Sequence, residues 1–256
     1  MIYNFLNFRQ KDHVAIAELN DPLPKDRDLL DLAYEFSDLC STIGSNDEIF
    51  VLALVSEGRN SLNFIDERQE KFRHNEIFGT EIPSITESIS GLEIPVIIGV
   101  SGNVSGQGLE LALACDIRIA AKGSKFWLPH IGMGIIPFEG GTQRLPRIAG
   151  TGMALEMMLT CDTLDAQTAY RLGIISRIVK KKELGPTVEK IAGDMSGKSP
   201  IALNYIKEAV TKGMDFPLNQ GLRLEADLYF LIHSTHDRYE GIKAFQQKRK
   251  PIFRGE

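Results

Sequence analysis

The sequence predicts an α/β protein with a helical C-terminal region. Short, uninterrupted apolar runs at residues 49–55 and 95–100 are typical of buried parallel strands. Between them, residues 28–43 carry apolar side chains at helical spacing. Beyond Gly150 the pattern becomes almost wholly helical, so we expect an α/β body at residues 1–150 and a helical region at 151–256.

The other elements follow the same periodicities. A short strand is predicted at residues 14–19, a glycine-containing turn at 101–108, a helix at 109–114 and a strand at 116–120. In the C-terminal region, helical patterns cover residues 151–159, 165–172, 183–196, 200–212 and 217–247. This order of strands and helices supports the α/β assignment.

Composition limits the classes of function. With 256 residues and 43% hydrophobic content, the chain can bury a large core. The net charge of -5 gives no general attraction for nucleic acid or an anionic membrane. We therefore expect neither partner, and any anionic ligand has to be held by local groups.

Cysteine usage and the N-terminus indicate a cytoplasmic protein. The three cysteines are an odd number, and they form no Cys-x-x-Cys or Cys/His spacing, so no metal site is predicted. The first residues lack the basic and apolar pattern of a secretion signal. No apolar stretch approaches the roughly 20 residues that span a bilayer.

The turn before the predicted helix at 109–114 is a candidate anion site. Backbone N–H groups at a helix N-terminus favour negative charge, which suits an oxyanion hole. A dinucleotide fingerprint starting at Gly106 fails because Leu111 occupies its third glycine position. Glu110 follows Gln107 by three residues, so it is a candidate acid or base on the same helix face. The alternative is a solvated carboxylate that complements the helix dipole.

Several motifs in the same order resemble the crotonase (enoyl-CoA hydratase/isomerase) superfamily. They span nearly the whole chain, and their collinear order makes chance agreement improbable. The motifs are residues 95–102, Gly106-x-Gly108-x-Glu110-Leu111-Ala112, Cys115-Asp116-Ile117, Ile136-Pro137-x-x-Gly140-Gly141-Thr142-Gln143-Arg144-Leu145-Pro146, residues 159–162, Ala166-x-x-Ala169-x-x-x-Gly173, and residues 240–253.

The resemblance implies a right-handed spiral of ββα turns with C-terminal helices that form trimers, often paired as hexamers. It also implies an acyl-CoA substrate, with coenzyme A as part of that substrate and no separate cofactor. Two backbone N–H groups, of Gln107 and Ile65, would hold the thioester oxygen. Further substrate contacts would come from Leu62, Asn63, Asp66, Gly106, Phe245 and Lys248.

The chain departs from the family pattern at both oxyanion positions. The family usually has Ala-Gly-x-Asp where this chain has Asn63-Phe64-Ile65-Asp66, and Gly-Gly where it has Gly106-Gln107. Phe64 is the more consequential change, because a phenylalanine enters glycine-only backbone conformations at a cost. The geometry of this loop is therefore an open question at the level of sequence.

His130 occupies the place of the second glutamate that the hydratases use. That glutamate follows proline in a Phe-x-x-Pro-Glu segment, and here the segment ends Pro129-His130. Histidine titrates near neutrality and can act as acid or base, and we expect nearby Glu110 to favour its charged form. The alternatives are a structural histidine and an inactive oligomeric paralogue.

Glu139 is the third candidate catalytic residue. It lies nine residues after His130, which resembles the carbon–carbon bond hydrolases of the superfamily, where a histidine and an aspartate occupy these places. The alternative is a surface glutamate at the start of a helix. The tail Lys248-Arg249-Lys250-Pro251 is typical of members that bind coenzyme A and argues against a hydrolase that needs none.

The sequence thus favours a lyase that adds or removes water across an α,β double bond of an acyl-CoA. Glu110 and His130 would share proton transfer, while Gln107 and Ile65 would hold the enolate oxygen. The second hypothesis is a β-diketone or β-keto hydrolase that uses His130 and Glu139, and an enoyl-CoA isomerase comes third. A non-catalytic oligomer is the contrasting class, and failure to bind any acyl-CoA would identify it.

Overall fold

The computed structural model describes residues 3–20, 29–58, 62–64 and 83–256. Ten strands are assigned within these ranges. They are β1 (Leu6–Lys11), β2 (Val14–Leu19), β3 (Val51–Ser56), β4 (Leu62–Phe64), β5 (Val96–Val100), β6 (Asn103–Gly106), β7 (Ile117–Ala121), β8 (Lys125–Trp127), β9 (Leu164–Asp165) and β10 (Arg177–Val179).

The strands form two sheets. The first has the order β1-β2-β3-β5-β7-β10, in which β1 and β2 are antiparallel and the other neighbours are parallel. The second has the order β4-β6-β8-β9, with β8 and β9 antiparallel. Strands β3 and β5 are wholly buried, as expected for central parallel strands covered on both faces.

Helices connect and cover the sheets. They are α1 (Leu29–Gly44), α2 (Ile85–Ser90), α3 (Gln107–Ala114), α4 (Gly141–Ala149), α5 (Thr151–Thr160), α6 (Ala166–Arg171), α7 (Leu184–Ser196), α8 (Pro200–Gly213), α9 (Leu218–Ile232) and α10 (His236–Gln246). A short 3-10 turn at His130–Met133 links β8 to the segment before α4. This mixed architecture confirms the α/β class predicted from the sequence.

The larger core lies on the face of the first sheet that carries α1. That helix buries residues at helical spacing, including Leu32, Phe36 and Leu39, which are fully inaccessible to solvent. On the opposite face, α7 packs Leu184 and Val188 against the sheet. Gly99 permits this contact, because a Cβ at that position would lie 2.5 Å from Val188 Cγ2. The two cores fix the positions of the strands from which the site elements emerge.

The predicted turn at 101–108 is wrong in part. Residues 103–106 form strand β6, which pairs with both β4 and β8, and helix α3 begins directly at Gln107. A short polar segment rich in glycine and serine resembles a turn locally, but pairing on both sides supplies the hydrogen bonds of a strand. The strand directs α3 into the interior of the protein, where all eight of its residues are buried.

The C-terminal region differs from its prediction in two respects. The helical pattern at 217–247 is divided into α9 and α10, because the side chain of Thr235 accepts a hydrogen bond from Arg238 N and caps a new helix. The short strands β9 and β10 lie beyond Gly150 yet pair with β8 and β7. The proposed domain boundary at 150 therefore stays a prediction. Across the described residues, no helix combines the length and apolar character needed to cross a bilayer.

Candidate active site

The N-terminus of helix α3 forms one wall of the site. Strand β6 ends at Gly106, whose backbone angles of φ 57° and ψ -136° lie in a region that non-glycine residues rarely adopt. This conformation lets the chain pass from strand to helix without a linker. Gln107 is the first residue of α3 and is 6% exposed, so the N-terminal N–H groups of the helix are directed within the protein.

Close packing brings strand β4 against this helix start. A Cβ on Gly108 would lie 2.0 Å from the carbonyl oxygen of Leu62, so no other residue fits there without moving the backbone. Phe64 pairs with Gly106 in the parallel register of β4 and β6. Phe64 has an ordinary strand conformation and is absent from the residues with positive φ. The glycine-only geometry considered for this position does not occur there.

Glu110 lies one turn into α3 and is completely buried. Its Oε1 accepts a hydrogen bond of 2.7 Å from Gly141 N, at the start of α4. Burial raises the pKa of this carboxyl to about 7, while the Gly141 hydrogen bond lowers it and the charge of Glu139 raises it. The alternative of a solvated carboxylate is therefore wrong, because Glu110 is closed to solvent and titrates near neutrality.

His130 lies beside Glu110. His130 is the first residue of the 3-10 turn and is 2% exposed. The Nε2 atom of its ring is 3.7 Å from Glu110 Oε2. Among the described residues, neither ring nitrogen of His130 nor Glu110 Oε2 has a hydrogen-bond partner. Burial lowers the pKa of His130. The expectation that Glu110 would favour the charged imidazolium is wrong, since desolvation favours the neutral ring.

The pair is therefore suited to holding a single proton near neutral pH. Burial raises the pKa of Glu110 to about 7 and lowers the pKa of His130 from its ordinary value of 6.5. The ring then offers a neutral base while the carboxyl offers an acid. Buried groups with displaced pKa values and few partners are typical of sites that transfer protons.

Glu139 is buried next to this pair but is bound to other groups. Its Oε2 accepts hydrogen bonds from Ser84 Oγ, from Thr86 N at 3.2 Å and from Thr86 Oγ1 at 2.9 Å. These donors lie at the start of α2, so the carboxylate faces that helix. With 3% of its surface exposed, Glu139 is not the surface glutamate considered as an alternative. A catalytic role for it stays a prediction.

The candidate substrate-binding residues are spread over two regions. Leu62 is fully buried, Asn63 is exposed with its Oδ1 bound to Ser105 Oγ, and Gly106 precedes α3. Phe245 and Lys248 are exposed at and just beyond the end of α10, and no contact described within residues 83–256 joins them to Glu110. Ile65 and Asp66 lie outside the described residues, so their predicted roles stay predictions.

Sequence reasoning missed the residues that contact Glu110 and Glu139. Gly141 supplies a hydrogen bond to Glu110, and a Cβ there would lie 2.9 Å from Glu110 Oε1. Ser84 and Thr86 anchor Glu139, and Arg144 Nη1 donates to the Glu139 carbonyl at 2.8 Å. The motif Gly140-Gly141-Thr142-Gln143-Arg144 was the available indication, because paired glycines before a helix often mark close backbone approach.

The described residues therefore bring a helix N-terminus, a buried carboxyl and a buried imidazole together, an arrangement suited to proton transfer beside an anion. A model of the enoyl-CoA hydratase/isomerase family matches residues 61–256. The chain belongs to the enoyl-CoA hydratase/isomerase family, and its fold is crotonase-like.

Individual relatives agree along the full length. A crotonyl-CoA hydratase of Syntrophomonas wolfei subsp. wolfei is 35% identical, over 99% of this chain and 99% of that protein. A short-chain-enoyl-CoA hydratase of Clostridium acetobutylicum is 31% identical, over 98% of this chain and 97% of that protein. The crystal structure of an enoyl-CoA hydratase from Bacillus anthracis superposes with a TM-score of 0.86 and 30% identity, covering 99% of this chain and all of that one.

Proposed function

We propose that the protein is an enoyl-CoA hydratase-type lyase that stabilises an enolate during the reversible addition of water. The observation that carries this proposal is the buried Glu110–His130 pair, 3.7 Å apart and one helical turn from Gln107. Family membership and the names of the full-length relatives support the same reaction. The names of these relatives favour a short enoyl chain as the acyl group.

The oxyanion would be held by backbone groups. The thioester oxygen would accept hydrogen bonds from the N–H groups of Gln107 and Ile65, which strengthen as negative charge develops on it. The pairing of Phe64 with Gly106 supports this assignment, since each of these residues immediately precedes one of the two donors in the chain. The dipole of α3 adds to the stabilisation of the enolate.

The proposed protonation states of Glu110 and His130 give a balanced reaction. Neutral His130 would take a proton from water as the water oxygen bonds to the β carbon, and protonated Glu110 would give its proton to the α carbon. Water is thereby added across the double bond, which leaves an imidazolium and a carboxylate. Transfer of one proton from His130 to Glu110 then restores the starting state. The displaced pKa values of both groups support these roles.

The hydrogen bonds of Glu139 favour the hydratase over the carbon–carbon bond hydrolase. A hydrolase that used Glu139 as an acid or base would have to release the carboxylate from Ser84 and Thr86 at the start of α2. A hydratase needs only Glu110 and His130. An isomerase needs a single base, whereas this site buries two proton carriers together.

We also infer the finer features of binding and assembly. Leu62, Asn63, Asp66 and Gly106 would line the acyl thioester, while Phe245 and Lys248 would contact the coenzyme A moiety. The protein would be a homotrimer or a hexamer built as a dimer of trimers. Cytoplasmic location is supported by the three free cysteines, two of which are buried.

Crotonyl-CoA hydration tests the proposal. The purified protein is expected to convert crotonyl-CoA to 3-hydroxybutyryl-CoA, identified by chromatography and mass spectrometry. Binding of the substrate analogue acetoacetyl-CoA is measured by calorimetry in parallel. Binding without hydration, together with turnover of a cyclic β-diketone that requires Glu139, would replace the lyase with the hydrolase. Absence of binding to any acyl-CoA would identify a non-catalytic oligomer.

A further inference from the structure

The segment from Glu139 to Gly141 is held on both sides. On one side, the Glu139 carboxylate accepts three hydrogen bonds from Ser84 and Thr86. On the other, the Glu139 carbonyl accepts from Thr86 Oγ1 and from Arg144 Nη1, each at 2.8 Å. Thr86 Oγ1 thus touches both the side chain and the main chain of Glu139. The start of α2 and the first turn of α4 therefore both form hydrogen bonds with Glu139. We call these hydrogen bonds from Ser84, Thr86 and Arg144 the Glu139 clamp.

The backbone that follows Glu139 passes close to the side chain of Arg144. Gly140 has a φ of 95°, and a Cβ there would lie 2.2 Å from Arg144 Nη1. The guanidinium therefore fills the space that any side chain at this position would need. The next residue, Gly141, donates its N–H to Glu110 Oε1 at 2.7 Å. The segment from Glu139 to Gly141 therefore ends in a hydrogen bond to Glu110, the carboxyl that we assign as the catalytic acid.

We propose that Glu139 is a positioning residue that, through its hydrogen bonds to Ser84 and Thr86, fixes the 139–141 turn and so directs the Gly141 N–H onto Glu110. The inference rests on the proposed function, because it assigns Glu110 the role of the acid. The family pattern usually has a small residue at this position, so the clamp distinguishes this chain from that pattern. Glu139 acts on the reaction through Glu110 and does not itself exchange protons with substrate.

The negative charge of Glu139 has a second effect, which is on the pKa of Glu110. The charged and titratable groups that face Glu110 are His130 from the 3-10 turn, Glu139 from the turn before α4, and Arg144 from α4. The negative charge of Glu139 raises the pKa of Glu110, and the positive charge of Arg144 lowers it. Removing the Glu139 charge should therefore let Glu110 ionise at lower pH.

Three substitutions separate the effect of Glu139 on the position of the 139–141 turn from the effect of its negative charge on Glu110. Glu139→Gln removes the charge and keeps an acceptor oxygen, Glu139→Ala removes both, and Thr86→Val removes the hydroxyl that bridges Glu139 while retaining the side-chain shape. The matched control is Glu87→Gln, which removes an exposed carboxylate from the same helix α2. Thermal unfolding of each variant checks that the fold is intact.

The expected result is a loss in kcat with little change in KM on crotonyl-CoA. Glu139→Ala and Thr86→Val should lower kcat by about 10- to 100-fold, the usual effect of removing a group that orients a reacting one. In Glu139→Gln, the alkaline limb of the kcat profile should move to lower pH, and Glu87→Gln should match wild type. Unchanged kcat and an unchanged limb in Glu139→Ala would overturn the proposal.

A readout independent of activity separates this inference from the proposed function. The carboxyl of Glu110 can be titrated by isotope-edited infrared spectroscopy in wild type, in Glu139→Gln and in Glu110→Gln as the assignment standard. A longer Gly141 N to Glu110 Oε1 distance in a crystal structure of Glu139→Ala supports the clamp, and a lower titration midpoint in Glu139→Gln supports the charge effect, even when wild type fails to hydrate crotonyl-CoA. An unchanged midpoint, together with an unchanged 2.7 Å Gly141 N to Glu110 Oε1 distance in a crystal structure of Glu139→Ala, rejects it.

Discussion

Glu110 Oε2 and His130 Nε2 lie 3.7 Å apart, beyond the roughly 2.7–3.2 Å of an ordinary hydrogen bond, in a part of the protein that is closed to solvent. A buried polar atom without a partner costs about 1–3 kcal/mol of folding free energy. Apolar side chains of similar size would avoid this cost. Retaining two proton carriers here is therefore explained by chemistry and not by stability.

Replacing Glu110 by glutamine should leave the fold and acyl-CoA binding intact while it lowers turnover. The amide is nearly isosteric, and its oxygen can still accept the hydrogen bond from Gly141 N. Loss of a general acid or base usually costs about 10²–10⁴ in rate. Steady-state hydration of crotonyl-CoA, with calorimetry for binding and circular dichroism for the fold, measures each effect. Turnover equal to wild type would leave Glu110 as a partner of the helix dipole alone.

The pH profile of kcat for the wild-type protein should have an acidic limb and an alkaline limb, both set by the ionisation of the Glu110–His130 pair. Because Glu110 has a raised pKa of about 7, the rate should fall as pH rises through that value and the acid loses its proton. Because the pKa of His130 lies below 6.5, the rate should also fall at lower pH, where the base becomes protonated. As the two groups interact, the apparent values describe the pair. The measurement is kcat for crotonyl-CoA across roughly pH 5 to 9.

His130→Ala should abolish the acidic limb and most of the rate. His130→Glu would recreate the two-glutamate arrangement of the family. This variant should hydrate crotonyl-CoA measurably, in contrast to His130→Ala. Full activity of His130→Ala with an unchanged profile would make His130 a packing residue. In that event both the lyase and the hydrolase mechanisms fail.

The sequence was sufficient to locate these residues but not their protonation states. Glu110 and His130 were found because they stand at the two acid positions of a family motif. Their pKa directions depend on burial and on Gly141, which is 31 residues away in the chain from Glu110. Such long-range contacts have no local sequence pattern, so the charged form expected for His130 was wrong.

At the scale of secondary-structure elements, the site depends on how closely α3 approaches β4. The helix starts directly from β6, and Gly108 allows its first turn to touch the backbone of Leu62. This contact sets the distance between α3, which begins with Gln107, and β4, which ends one residue before Ile65 in the sequence. An error of about 1 Å in such a distance can cost 10²-fold in rate.

Gly108→Ala should therefore destabilise the protein and impair catalysis together. The added methyl group would meet the Leu62 carbonyl, and overpacking of this kind costs about 1–3 kcal/mol. Gly193→Ala is the matched control, because this exposed glycine of α7 has nothing within 4 Å of a built Cβ. The control should gain about 0.5–1 kcal/mol from helix propensity.

Thermal unfolding at equal protein concentration compares the two variants with wild type. A Gly108→Ala protein as stable and as active as Gly193→Ala would show that the approach of α3 to β4 is not required.

Elements were predicted well where one periodicity dominated. Helix α1 and strand β5 were found from sequence because their burial follows a single pattern over their whole length. The sequence predicts a turn at strand β6, because Val104 is the single apolar side chain among its four residues and one side chain gives no periodicity. The role of α2 was also missed, because it depends on Glu139 from a distant segment.

At the scale of the whole molecule, the C-terminal helices expose many large apolar side chains. The exposed fraction reaches 79% for Leu218, 71% for Phe230 and 86% for Phe245. Further exposed apolar side chains of the same region are Ile206, Val210, Met214, Leu222, Tyr229, Leu231, Tyr239 and Ile242. This distribution agrees with the predicted role of the region in assembly.

The purified protein should be a trimer or a hexamer. Multi-angle light scattering at micromolar concentration measures the mass directly, and Phe230→Glu should shift it towards smaller species by placing a charge in the apolar surface. A monodisperse wild-type monomer would contradict the assembly and would leave the exposed helices unexplained.

A crystal structure of the protein with acetoacetyl-CoA tests the central claim most directly, because it locates the substrate relative to every proposed group at once. We expect the thioester oxygen within hydrogen-bond distance of the Gln107 and Ile65 N–H groups, with Glu110 facing the α carbon and His130 the β carbon. Acetoacetyl-CoA bound with its thioester oxygen away from both amides, or with Glu110 and His130 out of reach of these carbons, would contradict the account.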